Sequence, residues 1–317
     1  MILPLLITKR RQMKKDYFLS LSEEGFHKVA FTEWGAANNT NTPIICVHGL
    51  TRNGRDFDPL ANYLSYLGAH VFCPDIVGRG DSDWLKNPLH YTYEQYLVDM
   101  NGMIARTGAH QVDWIGTSMG GLIGIILAAQ ANSPIRRLIL NDVGPQIPVK
   151  ALQQIARYTG RDPLFDSVAD ARRYFQSIYA DFGNLTNEQW QHIAETSIYQ
   201  LPSGQFASKM DQGIKISPAK SKFAWNLLLN PHKALEGTLF DIDLWQIWRK
   251  IQCPVLVIRG ERSHLLTPGI MQKMQQTHPQ VDTLEIPNSG HAPALMGIKE
   301  QEVIYRWLMK TENPLKM

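Results

Sequence analysis

Residues 112–129 read VDWIGTSMGGLIGIILAA: a short apolar run, a Gly-Thr-Ser-Met-Gly turn, and a longer apolar run. The first run has the length of a buried strand and the second has the length of a helix. A chain that reverses sharply from strand to helix holds the apex residue in a sparsely populated backbone region, which leaves little room for side chains two residues away. Gly116 and Gly120 provide that room on either side of Ser118. We therefore predict that Ser118 is a nucleophile presented by this turn.

A second interpretation of the same turn is structural. A Gly-rich turn can simply pack tightly, or it can hold a phosphate at the N-terminus of the following helix. A phosphate loop of the type Gly-x-x-x-x-Gly-Lys-Ser/Thr carries a lysine, and residues 112–129 contain none. The catalytic interpretation requires partners for Ser118, namely two donors for an oxyanion, a histidine base, and an acid that orients the histidine.

The alternation of strand and helix continues on both sides of this turn. After a hairpin at 17–34, we predict strands at 44–47, 71–73, 112–117, 137–140, 254–260 and 283–286, and helices at 57–67, 93–107, 122–129, 268–277 and 300–310. Apolar strands separated by helices predict an α/β fold with a mostly parallel, doubly wound sheet covered on both faces. Ligands bind beyond the carboxyl ends of such strands, and His48, Asp75, Ser118 and Asp142 all fall just past predicted strands.

Residues 145–245 interrupt this pattern with helices alone, at about 151–158, 168–182 and 187–199. We predict an N-terminal tail at 1–16, an α/β core formed by 17–144 and 246–317, and a helical cap inserted at 145–245. Four of the eight tryptophans lie in or beside the cap: Trp190, Trp225, Trp245 and Trp248. Ordinary packing explains each of them singly, whereas together they suggest an aromatic-lined lid.

The best candidate for the base is His291. It follows the last predicted strand by a short loop, in the stretch Asn-Ser-Gly-His-Ala-Pro at 288–293. Most of the other nine histidines lie in polar or helical stretches, and His48 precedes Gly49 in a turn whose backbone matters more than its side chain. Only His291 is therefore expected to reach Ser118 from a neighbouring strand end.

Four motifs occur in the order and spacing of the α/β-hydrolase family, which the chain resembles over roughly residues 25–310. They are His48-Gly49-Leu50, Gly78-Arg79-Gly80-Asp81-Ser82, the stretch at 116–121, and Gly290-His291. The resemblance implies that Ser118 is the nucleophile and that His291 is the general base, which later protonates the leaving group. It also implies an oxyanion hole formed by the backbone N–H groups of Leu50 and Met119.

The acid behind His291 is the open question of this sequence. The family usually places it a few residues after the strand that ends at Gly260, and the expected position holds His264, which carries no fixed negative charge. Three possibilities remain: Asp142 reaches His291 from the neighbouring strand end, Glu261 swings in, or the triad is damaged and the protein binds without cleaving. Asp142 can also be explained as an Asx-type turn cap before Gly144.

A serine nucleophile excludes the dehalogenase and epoxide hydrolase chemistry of this family, which needs a carboxylate at that position. We therefore predict hydrolysis of a carboxylic ester with a small, apolar acyl or alcohol part, through an acyl-enzyme. Two alternatives remain: cleavage of a carbon–carbon bond in a ring-fission diketone, and a small-molecule receptor without catalysis. The first would be favoured by a basic pair in the cap facing Ser118, and the candidates are Arg157, Arg161, Arg172 and Arg173.

Composition narrows the cellular setting. A net charge of +3 over 317 residues gives no overall field that would recruit nucleic acid or a membrane surface. Three cysteines in apolar runs, none at metal-ligand spacing, predict free thiols in a reducing, cytoplasmic compartment with no metal and no cofactor. The apolar residues 1–8 precede a basic cluster, the wrong order for a secretory signal, and either Met1 or Met13 could be the first residue. The sequence does not indicate an oligomeric state.

Overall fold

An eight-stranded sheet carries the fold in the computed structural model, which describes residues 13–36, 42–156, 159, 161, 163–214 and 242–310. In chain order, the strands of these residues are β1 (Lys14–Ser22), β2 (Gly25–Trp34), β3 (Ile44–Val47), β4 (Val71–Pro74), β5 (Val112–Thr117), β6 (Ile135–Asn141), β7 (Gln146–Ile147), β8 (Leu164–Phe165), β9 (Ile198–Gln200), β10 (Phe206–Ser208), β11 (Ile242–Asp243), β12 (Val255–Gly260) and β13 (Val281–Ile286). The main sheet has the order β1-β2-β4-β3-β5-β6-β12-β13.

Helices cover both faces of this sheet. Those of the described residues are α1 (Asp58–Tyr66), α2 (Tyr93–Arg106), α3 (Met119–Ala128), α4 (Val149–Ala156), α5 (Val168–Ile178), α6 (Asn187–Ser197), α7 (Trp245–Trp248), α8 (Pro268–Thr277) and α9 (Ile298–Leu308). Strands β4, β3, β5, β6, β12 and β13 are parallel, and β1 and β2 form an antiparallel hairpin at one edge. The predicted doubly wound α/β sheet is confirmed.

The central strands are mostly apolar because each face of the sheet is buried, and the buried polar residues Asp113, Arg137, Asn141 and Arg259 are exceptions. In β3, Ile45 and Val47 pack with α2 and α3, whereas Ile44 and Cys46 pack with α1 and α9 on the other face. Alternate residues of a strand point to opposite faces, so a strand buried on both sides is apolar at most positions of either face. This is the physical reason that the short apolar runs of the sequence were readable as parallel strands.

The strand order creates a crevice beside β5. The chain leaves β3 toward β4 on one side and then crosses to β5 on the other, so the loops that follow β3 and β5 diverge. A reversal of this kind is the usual ligand position in open α/β sheets. Ser118 follows β5 and His48 follows β3, which places both at this point.

The N-terminal boundary differs from the prediction. Strand β1 begins at Lys14, inside the tail that we predicted to extend to residue 16, and it pairs with β2 over its whole length. Lys15 forms an ion pair with Asp81 at 2.8 Å. An exposed edge strand that begins with lysines has the same charged sequence as a solvated tail, so the sequence pattern does not distinguish the two.

We predict helices alone in the inserted segment, and this prediction is wrong, because the segment also contains short strands. Helices α5 and α6 pack around Phe175, Trp190 and Ile193, and a small antiparallel sheet of the order β8-β10-β9 lies beside them. Strands β7 and β11 pair where the segment leaves and rejoins the core. Strands of two or three residues are too short to produce a readable alternation, so no pattern in the sequence indicated them.

Of the four tryptophans considered for a lid, the three in the described residues do not lie together. Trp190 belongs to the apolar cluster of the inserted segment, whereas Trp245 and Trp248 are buried in the main core. Trp225 lies outside the described residues, as do Arg157 and the greater part of the predicted tail. The domain limits at residues 144 and 246 therefore stay a prediction. Trp245, which we predict to lie in the cap, packs in the main core instead.

Within the described part of the chain, no helix combines the length and the apolar character needed to cross a bilayer. The three cysteines all fall in this part and none is bridged.

Candidate active site

Ser118 occupies the apex between β5 and α3. Its backbone has φ 49° and ψ −111°, in the positive-φ region that residues other than glycine rarely adopt. Its N–H donates to the carbonyl of Asn141 on the next strand at 3.0 Å. The turn is thus strained and tied to its neighbour, and it holds the hydroxyl beyond the carboxyl end of the sheet.

The two glycines of the turn are required by close backbone approach. A Cβ at position 116 would lie 2.3 Å from the carbonyl oxygen of Gly120. A Cβ at position 120 would lie 2.1 Å from the carbonyl oxygen of Val47. Any larger residue at position 120 would therefore push the loop after β3 away from Ser118.

His291 connects Ser118 to a buried acid. The Ser118 hydroxyl donates to Nε2 of His291 at 3.0 Å, and Nδ1 of the same ring lies 2.7 Å from Oδ2 of Asp142. A carboxylate can only accept, so Nδ1 carries the proton and Nε2 is the free acceptor. The structure therefore brings together Ser118, His291 and Asp142, which lie far apart in the sequence.

Asp142 is fully buried and its carboxylate is held by three donors. Oδ1 accepts from the N–H of Gly260 at 2.9 Å, and Oδ2 accepts from the hydroxyl of Ser263 at 2.6 Å as well as from His291. A buried carboxylate needs such partners, because removal from water is otherwise costly. Asp142 has a φ of 56°, which turns its side chain toward the loop after β12.

The other candidates for the acid point elsewhere. Glu261 is exposed and accepts from the backbone N–H of Asn288 at 2.8 Å. His264 is exposed as well. Sequence reasoning missed Ser263, whose hydroxyl holds the carboxylate of Asp142. The only signal in the sequence was its place one residue before the expected acid.

The two predicted oxyanion donors lie beside Ser118. Residue 49 is close enough that a Cβ there would be 3.7 Å from Cβ of Ser118, and Leu50 follows directly. Met119 is the first residue of α3, so its N–H has no acceptor within its own helix. Within the described residues, the amides of Leu50 and Met119 donate to no protein acceptor.

His48 fixes the peptide that carries the Leu50 N–H. Its Nδ1 donates to the carbonyl of Gly49 at 2.7 Å, and its Nε2 accepts from the N–H of Ile76 at 3.0 Å. Burial lowers the pKa of His48 to about 3, so the ring is neutral at physiological pH. A neutral ring can accept at Nε2 and donate at Nδ1 at the same time, which orients the peptide between Gly49 and Leu50.

The inserted segment reaches the loop that carries His291. The carbonyls of Asp181 and Phe182 accept from the N–H groups of Gly290 and Ala294 at 2.8 and 3.1 Å, on either side of His291. On the other side, the hydroxyl of Tyr179 donates to Thr51 Oγ1 at 2.8 Å. A small cleft next to these contacts is lined partly by apolar side chains, among them Phe182, Ala292, Ala294 and Met296, and partly by the ion pair of Arg52 with Asp56.

Three of the four arginines considered for the ring-fission diketone substrate lie in the described residues. Arg173 is exposed and forms an ion pair with Asp170 on its own helix. Arg161 is exposed at the edge of a second cleft that also includes Tyr174. Arg172 is half-buried. Among the described residues, no group of three or more His, Cys, Asp or Glu side chains is arranged to hold a metal ion.

Comparison with known proteins agrees with this arrangement. The family model for the alpha/beta hydrolase fold matches residues 42–297. The chain belongs to the α/β-hydrolase family. Among the relatives of this hydrolase is the 3-hydroxybutyrate-oligomer hydrolase of Cupriavidus necator, 38% identical over 87% of this chain and 91% of the relative.

Two further relatives differ in how similar they are to this chain. A solved α/β hydrolase from Novosphingobium aromaticivorans superposes with a TM-score of 0.78 at 32% identity, covering 94% of this chain and 98% of the other. The 2-(acetamidomethylene)succinate hydrolase of Mesorhizobium japonicum is 24% identical over 78% of this chain and 81% of the relative. The hydrolases from Cupriavidus necator and Mesorhizobium japonicum are thus named for different substrates.

Proposed function

We propose that this chain is a serine hydrolase that cleaves a small carboxylic ester through an acyl-enzyme. The observation that carries the proposal is the hydrogen-bonded series Ser118–His291–Asp142, with distances of 3.0 and 2.7 Å, beside two backbone amides that are free to receive an oxyanion. Such an arrangement suits acyl transfer, in which one group attacks, one moves the proton, and fixed donors receive the developing charge.

In the acylation step, Oγ of Ser118 attacks the ester carbonyl carbon as its proton passes to Nε2 of His291. Asp142 stabilises the imidazolium through Nδ1–H, and the N–H groups of Leu50 and Met119 receive the carbonyl oxygen as it becomes negative. Each such donor typically lowers the barrier by about 3 kcal/mol. The tetrahedral intermediate then breaks its bond to the alcohol oxygen, which takes the proton from His291.

Deacylation repeats these steps with water. His291 removes a proton from the water as its oxygen attacks the acyl carbon, and the same two amides receive the oxyanion. Collapse releases the acid and returns the proton to Ser118. The inserted segment, which contacts both sides of the His291 loop, is proposed to cover the site and to select the acyl group by shape.

For the substrate class, we propose esters that link short hydroxy acids, such as oligomers of 3-hydroxybutyrate. The 38% identical relative named for these oligomers is matched over nearly its whole length, which supports this choice. The small apolar side chains of the cleft beside His291, Ala292 and Ala294, are compatible with a short aliphatic acyl group.

Both alternatives have less support than ester hydrolysis. The receptor hypothesis depends on a missing acid behind His291, and the contact of Asp142 with Nδ1 of His291 at 2.7 Å supports the catalytic alternative. The carbon–carbon hydrolase hypothesis needs a basic pair facing Ser118; of its four candidates, Arg157 lies outside the described residues and Arg173 forms an ion pair with Asp170 on its own helix.

The test is hydrolysis of nitrophenyl butyrate and of 3-hydroxybutyrate dimers and trimers. We expect wild-type protein to hydrolyse both, and Ser118→Ala to lose on the order of 10⁴-fold or more in kcat. Ser133→Ala, on the loop before β6, is the matched control and should keep full activity. A fluorophosphonate should label Ser118 and no other serine. Hydrolysis that survives Ser118→Ala would contradict the proposal.

A further inference from the structure

Arg79 is a buried cation that the proposed mechanism does not use. It is the second residue of the Gly-Arg-Gly-Asp-Ser motif at 78–82, and its side chain is fully buried. Among the described residues no carboxylate lies within ion-pair distance of it. A buried guanidinium without an ion partner is costly unless its N–H groups find other acceptors, so its contacts indicate what it is held for.

The guanidinium contacts both residues that carry the candidate oxyanion donors. Nε donates to the carbonyl of Leu50 at 3.0 Å, and Nη2 lies 3.7 Å from the sulfur of Met119. Leu50 is therefore held at two successive peptides, one by His48 through the carbonyl of Gly49 and the other by Arg79. One side chain thus links the loop after β3 to the first residue of α3.

The remaining contacts fix the guanidinium itself. Nη1 donates to the carbonyl of Val77 at 2.8 Å and to the hydroxyl of Tyr96 at 2.9 Å. The rings of Tyr91 and Tyr96 lie 5.8 and 5.0 Å from its central carbon, within the range of cation–π attraction. Neutral oxygens and ring faces therefore surround the charge, and none of them cancels it.

The backbone on either side of Arg79 is also constrained. Gly78 has φ 84° and a Cβ there would lie 2.6 Å from the Tyr91 ring; Gly80 has φ 60° and a Cβ there would lie 2.2 Å from the Asp75 carboxylate. The loop is thus locked in a conformation that only glycine adopts without strain, with Arg79 directed inward.

The charge of Arg79 acts on the oxyanion loop. The low pKa of His48 is caused first by burial, and the positive charge of Arg79 lowers it further. His48 donates to the carbonyl of Gly49, which belongs to the same peptide as the Leu50 N–H. A cation that influences His48 in a medium of low dielectric will also favour negative charge on an oxygen bound by that N–H.

We propose that Arg79 is a positioning residue that holds both oxyanion donors in register and favours the oxyanion by its uncancelled charge. The inference rests on the proposed function. It predicts an effect on the transition state with little effect on the ground state, because Arg79 contacts the donors and has no access to the substrate.

The experiment compares Arg79→Met and Arg79→Lys with wild type in ester hydrolysis and in binding of an alkyl boronic acid, whose tetrahedral adduct on Ser118 places an oxygen in the oxyanion position. We expect Arg79→Met to lose on the order of 10²-fold in kcat with KM changed less than about threefold, and to lose boronate affinity by a similar factor. Arg79→Lys, which keeps the charge, should recover about a tenth of the wild-type rate.

The control is Arg137→Met. Arg137 is also buried, donates to the carbonyl of Lys310 at 2.5 Å and lies over the ring of Trp307, at the opposite end of the sheet. It should lose stability without losing kcat per folded molecule. Folded Arg79→Met with wild-type kcat and boronate affinity would overturn the inference.

A second route covers the case in which Arg79→Met does not fold. Tyr96→Phe removes the hydroxyl that holds Nη1 and keeps the charge buried. We then expect both Tyr96→Phe and Arg79→Lys to lower boronate affinity by about three- to tenfold, the effect of losing one modest hydrogen bond. Wild-type affinity in both would overturn the inference. Wild-type protein that neither binds boronate nor reacts with a fluorophosphonate at Ser118 would instead overturn the proposed function, and the role of Arg79 with it.

Discussion

The hydroxyl of Ser263 donates a hydrogen bond to Oδ2 of Asp142 at 2.6 Å. Ser263 lies in the loop after β12, where the family resemblance led us to look for the acid itself. The loop therefore supports a carboxylate from the neighbouring strand β6. The Gly260 N–H at the end of β12 binds the other oxygen of the same carboxylate, at 2.9 Å. The acid position is thus divided between two strands, one providing the charge and the other its donors.

Replacement of the acid is the first test of this arrangement. We expect Asp142→Asn to lower kcat by on the order of 10³–10⁴-fold, because the amide cannot stabilise the imidazolium and favours the wrong tautomer of His291. His264→Ala and Glu261→Gln are controls that should stay within about threefold of wild type, since both side chains are exposed and outside the series. The measurement is initial rates of ester hydrolysis, and equal small losses in all three variants would contradict the assignment of Asp142.

Removal of the supporting hydroxyl should weaken the site without abolishing it. Ser263→Ala leaves Oδ2 of Asp142 with His291 alone, and a hydrogen bond to a buried charge contributes about 1.5–3 kcal/mol. We expect a comparable loss in the free energy of unfolding and roughly a tenfold loss in kcat. Ser289→Ala removes a buried hydroxyl that donates to the carbonyl of Ile286, so it should lose some stability and keep its kcat. Equal kinetic losses in the two variants would show that Ser263 has no special relation to Asp142.

The free energy of unfolding should depend on pH because His48 is buried in its neutral form. Its pKa is lowered from 6.5 to about 3 in the folded protein by burial, so the unfolded chain binds a proton below pH 6.5 that the folded chain does not. The free energy of unfolding therefore falls as the pH falls through this window. Burial raises the pKa of Asp75 and Asp113 to about 6, and these two groups act in the opposite direction.

Comparing the stability of wild type with that of His48→Gln separates the contribution of His48 from those of the other titrating groups. Between pH 7 and pH 5, wild type should lose about 2 kcal/mol more stability than His48→Gln, measured by denaturant unfolding at each pH. Parallel changes in the two proteins would mean that His48 titrates in the folded state as it does in the unfolded chain.

Gly120, two residues after Ser118, provides a steric test. Gly120→Ala would place a Cβ 2.1 Å from the carbonyl oxygen of Val47, so either the fold or the loop after β3 must shift. We expect a loss of several kcal/mol in stability, and activity reduced by at least about 10²-fold in any folded fraction, because the Leu50 donor moves with that loop. Gly269→Ala, in the first turn of α8 with open space around it, should be neutral or slightly stabilising. Thermal unfolding and kcat of both variants decide the matter.

The sequence predicted the sheet well because its strands are short, apolar and separated by amphipathic helices. It also predicted that Ser118 and His291 lie close together, since Ser118 directly follows β5, His291 follows β13 after a short loop, and a parallel sheet brings these strand ends to one edge. The acid was left open for a physical reason. Whether Asp142 or Glu261 faces His291 depends on the strand order and on the positive φ of Asp142, and neither is encoded in a local pattern.

The roles of two supporting residues could not be predicted from the sequence. Ser263 is 121 positions from Asp142, and Arg79 is 40 positions from Met119. Contacts over such separations follow from the assembled fold, because serine and arginine are common in loops and most of them simply face solvent. The short strands β8, β9 and β10 were missed because two or three residues show no period.

The location of the acid on β6 affects how this protein can change over time. Residues 112–142 form one unbroken β-α-β unit that contains Ser118, Met119 and Asp142, and the inserted segment begins only after it. An acid after β12 would instead leave the whole insertion between nucleophile and acid. Here, lengthening, shortening or exchanging the insertion leaves their spacing untouched, and only the approach of His291 must be restored. The inserted segment can therefore be exchanged while Ser118, Met119 and Asp142 are inherited together in one unit.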